Sequence, residues 1–474
     1  MTTRTVEYEG KLYSVREFCE SIGISTPTFK RKIADGMTTK EIAEYAKTLG
    51  VEIIFRGVSV PAHAFAEVCY CSSSAIYYRA KAGENGDQIY EWYRNKNSLP
   101  PASSVDLESL VNKARKKPEP RHNHALVAFA IGDALGKPFE THQKKSPELI
   151  EWIKNPVYLE SSYEGLGQEG KLAGRFTDDT QMALCLAEAC RLSSESSGFH
   201  QMVAGKGSPV AVESLAKSLY IQWFTGWPKG CVVPGVIDGP RGIGGTVKKS
   251  MEDFLANKDK IGGVKIREAN SYVGNGGLMR CLPIGIFYRN SQKALFEAVK
   301  LDTTNTHDSY EAVAASYAYT LIVSHLMNNG TKGCLSGAIS LLEESGYDYT
   351  VVYEGLKHVR TMLSIHVVDN DLGNANKMCD YVETIGNGGY VVETLCSSIY
   401  LGLKCMDPKT AITASVLAGG DADTRTALTA AIMGLRFDLN IFPADWVSGL
   451  ECADVIADAN KWLLEQPYKE GEEE

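Results

Sequence analysis

The chain has 474 residues, 44% of them hydrophobic and 23% charged, which is ordinary for a folded protein with a large buried core and unlike a disordered one. Its net charge of −9 is uneven: residues 1–120 carry 17 Lys and Arg against 15 Asp and Glu, and the remainder carries 32 against 43. That balance excludes a general attraction of the bulk of the chain to nucleic acid or anionic lipid, and no apolar run reaches the ~20 residues that a membrane helix needs. Twelve cysteines without CxxC or disulfide-framework spacing read as reduced thiols. The opening residues are polar and carry no signal-peptide pattern, so a cytoplasmic protein without membrane contact is expected.

In chain order, Thr5 to Tyr8 reads as a short β segment turned at Glu9-Gly10. Ser14 and Glu17 form a capping-box pattern that opens a helix. Gly23-Ile24-Ser25 is a turn, a second helix starts at Thr26 and carries Lys30, Arg31 and Lys32, and a third spans 40–48. Residues 51–98 repeat this pattern at an offset of about 47, pairing Gly10 with Gly57, Phe18 with Phe65 and Gly36 with Gly83. Two small, mainly helical repeats of helix-turn-helix type, 1–50 and 51–98, are expected. Lys30, Arg31, Lys32, Arg79 and Lys81 are their candidate nucleic-acid contacts. The small positive balance of this region favours protein docking or oligomerisation as the alternative. Residues 99–120, with Leu99-Pro100-Pro101 and the run KARKKPEP, read as a linker.

From His122 onward small residues and helical periodicity dominate. Helices are expected over 124–135, 179–192, 210–224, 292–301, 309–328, 333–345, 349–364, 390–405, 407–418 and 424–436, and strand-like alternation is scarce. The expectation for 121–467 is an all-α, many-helix domain, followed by an acidic tail, 468–474.

Two helix starts stand out. Thr177-Asp178-Asp179-Thr180 precedes one periodic run, and Gly419-Gly420-Asp421-Ala422-Asp423-Thr424 precedes another. Asp and Thr at a helix start cap free N–H groups and suit the positive end of the dipole, and either motif alone reads most simply that way. Together they bring four aspartates which, in one place, would repel unless cations lay between them. Oxygen ligands of this kind suit magnesium, manganese or calcium and not zinc. The glycine stretches Gly274-Asn275-Gly276-Gly277 and Gly386-Asn387-Gly388-Gly389 permit either close backbone approach to a bulky anion or tight turns.

These stretches, with Gly132-Asp133-Ala134-Leu135-Gly136-Lys137-Pro138-Phe139-Glu140, Leu278-Met279-Arg280 and Thr306-His307, occur in the order found in the ADP-ribosylglycohydrolase family, which residues 122–440 resemble. The resemblance says nothing about residues 1–120. It implies an all-α fold with a central cleft and two divalent cations, Mg²⁺ or Mn²⁺, held by Thr177, Asp178, Asp179, Asp421, Asp423 and Thr424. It implies a substrate in which ADP-ribose is joined to an acceptor, a protein side chain or another ADP-ribosylated molecule. Glu140 would stand beside the metals as a ligand or proton-transfer group, and Asp178 or Asp179 would activate water. Tyr272 or Tyr390 would stack on adenine. Gly274, Asn275, Gly276, Gly277, Gly388 and Gly389 would contact diphosphate and ribose, and His307 would line the ribose pocket. A binding protein for ADP-ribose with a docking module, and a hydrolase acting on ADP-ribosylated nucleic acid, are the alternatives.

Overall fold

Short alternating stretches and long helical ones segregate along the chain, and the structure follows that division. The structure is a computed structural model that describes residues 5–8, 11–14, 52–61, 65, 69, 76, 79–97, 101–105, 124–160, 173–195, 206–226, 239–256, 273–345, 349–364 and 373–469. Two compact units are present, residues 1–121 and 122–474.

In the first unit, β1 (Thr5–Tyr8) pairs antiparallel with β2 (Lys11–Ser14), and β3 (Glu52–Phe55) with β4 (Val58–Pro61). The second hairpin turns at Arg56-Gly57, both with positive φ (49° and 77°), the backbone of a two-residue type I′ turn. Ile53, Phe55 and Val60 are buried while Ile54 is exposed, so this hairpin has one apolar face. That face packs with Phe65, Cys69 and Ile76, and with Ile89, Tyr90 and Tyr93 of α1 (Gly86–Asn97). A complete hairpin thus stands where a single β segment is expected in the first repeat, and Ser14 is the last residue of a strand. The helices expected over residues 15–50, with Lys30, Arg31 and Lys32, lie outside the described residues. Arg79 pairs with Glu84 at 2.7 Å and lies 4.0 Å over the Trp92 ring, whereas Lys81 is exposed.

The second unit is all-α. Its helices are α2 (Ala125–Gly136), α3 (Pro147–Trp152), α4 (Asp178–Glu195), α5 (Pro209–Thr225), α6 (Gly245–Ala256), α7 (Leu282–Phe287), α8 (Gln292–Thr304) and α9 (Tyr310–Asn329). They continue with α10 (Cys334–Glu344), α11 (Thr350–Ser364), α12 (Ala375–Glu383), α13 (Val391–Lys404), α14 (Pro408–Leu417), α15 (Ala422–Arg436), α16 (Ala444–Ser448) and α17 (Ala453–Glu465). Each helix expected from periodicity is present. Ser208, Ser291, Ser309, Asn374 and Asp407 cap their helices by accepting a hydrogen bond from the backbone three residues on.

The centre of this unit is the pair α2 and α15. Every residue of α2 is buried. Its Gly132 lies so close to Thr426 and Ala430 that a Cβ would overlap both, Gly136 lies equally close to Ala422, and Gly434 of α15 lies against Ala128. Small residues four apart on both helices therefore let the two backbones touch. This close approach delivers the C-terminal end of α2 to the start of α15. No helix among the described residues is long and apolar enough to cross a membrane.

Candidate functional site

The start of α4 is fixed from α2. Asp133, fully buried, accepts hydrogen bonds from the Thr177 amide (3.0 Å), the Thr180 amide (3.1 Å) and the Thr180 hydroxyl (2.6 Å). A carboxylate thus caps α4 from another helix, where the exposed N–H groups and the dipole favour negative charge. The Thr177 hydroxyl accepts from the Asp179 amide at 3.2 Å, and the Asp178 amide donates to the Arg241 carbonyl at 2.8 Å. With the local backbone donors so engaged, the Asp178 and Asp179 carboxylates are left to face the interior.

The start of α15 is fixed by two left-handed glycines. Gly419 and Gly420 have φ of +64° and +66°, and a Cβ on either would collide with the His142 or Asn387 carbonyl. Gly420 is stitched to the chain after α2, donating to the His142 carbonyl at 2.9 Å and accepting from the Thr141 amide at 2.7 Å. Glu140 therefore sits beside Asp421 and Asp423, and one carboxylate oxygen from each of the three falls within 4.8 Å of the others. The Thr424 hydroxyl reaches across to Asp179 at 3.0 Å, which joins the two helix starts.

The glycine segments pair with each other. Gly274 forms a β-bridge with Tyr390, the Asn275 amide donates to the Gly389 carbonyl at 3.2 Å, and the Val391 amide to the Val273 carbonyl at 2.9 Å. The Asn275 side chain donates to Asp421 and, at 3.0 Å, to the Thr394 hydroxyl. Beneath the segment Arg280 is wholly buried. It donates to Asp302 (2.8 Å), the Gly276 carbonyl (2.9 Å) and the Thr306 hydroxyl (2.9 Å), and Thr306 in turn meets His307 Nδ1 at 2.9 Å. A Cβ on Gly276 would overlap the His307 ring, so this glycine is needed for the ring to fit.

These elements line a cavity of about 190 Å³, whose walls are carboxylates, glycine backbone and His307. Glu140, Asp178, Asp179, Asp421, Asp423 and Thr424 line it, as do Gly274, Asn275, Gly276 and His307. Gly277 packs instead on Thr303, the Gly388 amide donates to Glu393 at 3.0 Å, Gly389 accepts from Asn275, and the Tyr390 hydroxyl donates to Glu311 at 2.6 Å. Thr177 is buried under the α4 start, and Tyr272 lies outside the described residues. Three contributors are given no role in the expectations, although Asp133 and Lys137 stand in the Gly132–Glu140 stretch. Asp133 acts from 44 residues away. Lys137 donates to Glu140 and lies 3.5 Å from Asp423. The segment Gly242, Gly244, Gly245 and Thr246, at the start of α6, forms a further wall. Its signal in the sequence is four glycines in seven residues ahead of a periodic run.

The electrostatics are those of an acidic cluster out of water. Burial, the Asp423 charge and Asp133 push Asp178 well above the usual carboxylate range, with Lys137 acting against them. Asp179 is raised in the same way by burial and by Asp133, Asp423, Asp178 and Asp421. Burial and Asp421 lift Asp423 to about 7, and burial with Asp423 lifts Asp133 to about 6. Glu140 is raised by burial and Asp423. Burial opposes the Lys137 ammonium, but Asp423 and Glu140 outweigh it and hold its pKa above the ordinary lysine value. An all-oxygen donor set of buried, mutually repelling carboxylates fits a hard metal cation, which would relieve that repulsion.

Residues 114–473 match the sequence model of the family described as ADP-ribosylglycohydrolase. The chain is similar to the ADP-ribosylarginine hydrolase Tri1 of Serratia proteamaculans, 24% identical over 383 residues that cover 81% of this chain and 86% of the relative. It is similar to the ADP-ribosyl-[dinitrogen reductase] glycohydrolase of Rhodospirillum rubrum (24% identical, 70% and 91% covered) and to human ADP-ribosylhydrolase ARH3 (24% identical, 71% and 92% covered). The match takes in α2 to α17 and every element of the cavity, and the chain belongs to the ADP-ribosylglycohydrolase family.

Proposed function

We propose that this protein is a metal-dependent hydrolase that cleaves the glycosidic bond between ADP-ribose and an acceptor, a protein side chain, and so reverses ADP-ribosylation. The observation that carries the reading is the meeting of Glu140, Asp178, Asp179, Asp421 and Asp423 around one cavity faced by the Gly274–Gly276 backbone. A protein acceptor is favoured by two relatives, one named for ADP-ribosylarginine and one for an ADP-ribosylated dinitrogen reductase.

In this reading Asp178, Asp179, Asp421, Asp423 and Thr424, with Glu140 at the rim, hold two divalent cations, Mg²⁺ or Mn²⁺. Thr177 supports them through its cap on Asp179. Such ions, when bound, polarise sugar oxygens and acidify a coordinated water. The chain's own groups supply the rest. Cleavage at an anomeric carbon needs one group to take a proton from water and another to give one to the leaving atom. Asp178 or Asp179, whose burial raises its proton affinity, accepts the first. Glu140, half-exposed at the rim, holds the second. The Gly274, Asn275 and Gly276 backbone accommodates the diphosphate together with the N-terminus of α6, a helix start whose dipole favours an anion. His307 sits under the ribose.

The test is a panel of defined substrates, with ADP-ribose on arginine, serine or a nucleobase, incubated with Mg²⁺ or Mn²⁺ and with chelator. Release of ADP-ribose from a protein-type acceptor, lost in chelator, is expected. Full turnover in excess chelator would remove the cations from the mechanism. Tight ADP-ribose binding without turnover on any acceptor would make the protein a binding module.

A further inference from the structure

Lys137 touches two carboxylates of the cavity, Glu140 and Asp423, yet neither the acid–base chemistry nor the substrate contacts use it. It opens the single 3₁₀ turn Lys137–Phe139 that follows α2, and its side chain is 11% exposed. The ammonium donates to Glu140 and lies 3.5 Å from Asp423 Oδ2. These are two of the three carboxylates whose oxygens gather within 4.8 Å. The room for it is built. Gly242 has φ of +74°, and a Cβ there would come 2.8 Å from Lys137 Nζ and 3.6 Å from Asp178 Oδ1. The left-handed glycine thus opens the pocket in which the ammonium reaches the acidic cluster beside Asp178.

Charge and space set the ammonium against a metal ion. A divalent cation held by Glu140 and Asp423 would stand within a few ångströms of the ammonium, and like charges at that separation in a poorly solvated site repel strongly. The two cations also seek the same oxygens, since an ammonium offers only donors. A lysine can yield the place, because its four-carbon stem is flexible and its head is readily hydrated. We propose that Lys137 is a resident counter-cation of this site: its ammonium takes the place between Glu140 and Asp423 that a divalent cation would take, so that metal loading requires the lysine to leave. This rests on the reading of the cavity as a cation site. The acidic cluster is then never without a positive charge, and the apparent affinity for metal is set by competition with a group of the chain itself.

The experiment measures metal affinity without activity. The full chain and its K137M, K137Q and K137R variants are titrated with Mn²⁺ at pH 7.5, and free Mn²⁺ is read by electron paramagnetic resonance. Melting of each is followed in chelator. K137M and K137Q, which remove the charge, are expected to bind Mn²⁺ at least about tenfold more tightly than the parent and to melt several degrees lower in chelator. K137R, which keeps it, is expected to stay near the parent in both. K137M and K137Q that bind Mn²⁺ no more tightly than a parent that does bind it overturn the competition and leave the cation site standing. A parent and variants that all fail to bind Mn²⁺ overturn both. If K137M does not fold, K137Q decides.

Discussion

At Asp178 and Asp423 a helix cap and a metal ligand make opposite demands. Asp178→Asn and Asp423→Asn keep an acceptor oxygen, so a capping role survives at a cost of about 1 kcal/mol or less. A ligand role does not survive. Each variant should lose hydrolysis by at least about 100-fold, roughly 2.7 kcal/mol in the barrier. In chelator each should melt at or above the parent, because one of the neighbouring charges is gone. An active variant that melts well below the parent would make these residues caps. The same carboxylates predict a pH dependence. Asp133 at about 6 and Asp423 at about 7 lie above the ordinary 3.8, so the folded chain binds more protons than the unfolded one. The stability they carry is present in full below the unfolded pKa and is lost as pH rises through the folded values. Metal-free protein should therefore melt higher at pH 5 than at pH 8, with saturating Mg²⁺ or Mn²⁺ flattening the difference. A metal-free melting temperature that rises between pH 5 and 8 would contradict this.

Among the elements, α2 and α15 hold the site by contact of backbones. Gly136→Ala places a methyl against the Ala422 carbonyl and beside the Asp423 backbone. It should cost about 1–3 kcal/mol as overpacking and lower activity by shifting Asp423. An unchanged melting temperature and rate would mean that the two helices separate freely. Acidic and hydroxyl residues ahead of a 3.6-residue pattern mark where α4 and α15 begin, and the i, i+4 spacing of Gly132, Gly136, Ala430 and Gly434 marks faces that pack closely. Those features are local, and so they are legible in the chain. The cap on α4 is not. Asp133 lies inside an apolar helix, and only the crossing of two helices brings it to Thr177. Lys137 reads locally as a charge after a glycine. α3, α7 and α16 span 6, 6 and 5 residues, too few for a period to appear, whereas α6, α12 and α17, of 12, 9 and 13 residues, are absent from the expected helices despite their length.

For the whole molecule, the division at Arg121 and His122 gives two units with separate apolar cores. We propose that residues 1–98 serve as a docking module and that hydrolysis belongs to the second unit alone. A protein beginning at residue 118 should fold and keep its activity on a small ADP-ribosylated substrate. A folded truncation without activity would place part of the site in the first unit. Salt-sensitive DNA or RNA binding by the full chain, lost on truncation, would assign nucleic acid as the partner of that module.

The α2–α15 contact also sets a timetable for biosynthesis. α2 emerges early, with all twelve of its residues destined for burial, and its partner is among the last helices to be made. At about 5–20 residues per second, the interval between them is roughly a quarter of a minute to a minute. For that time α2 has α4 to meet through Asp133 but lacks the helix it packs against most closely, and Asp178 and Asp179 have no Asp421 or Asp423 to meet. The acidic cavity therefore closes only after nearly the entire catalytic unit has left the ribosome. A nascent or prematurely terminated chain then presents an apolar helix without a complete cavity.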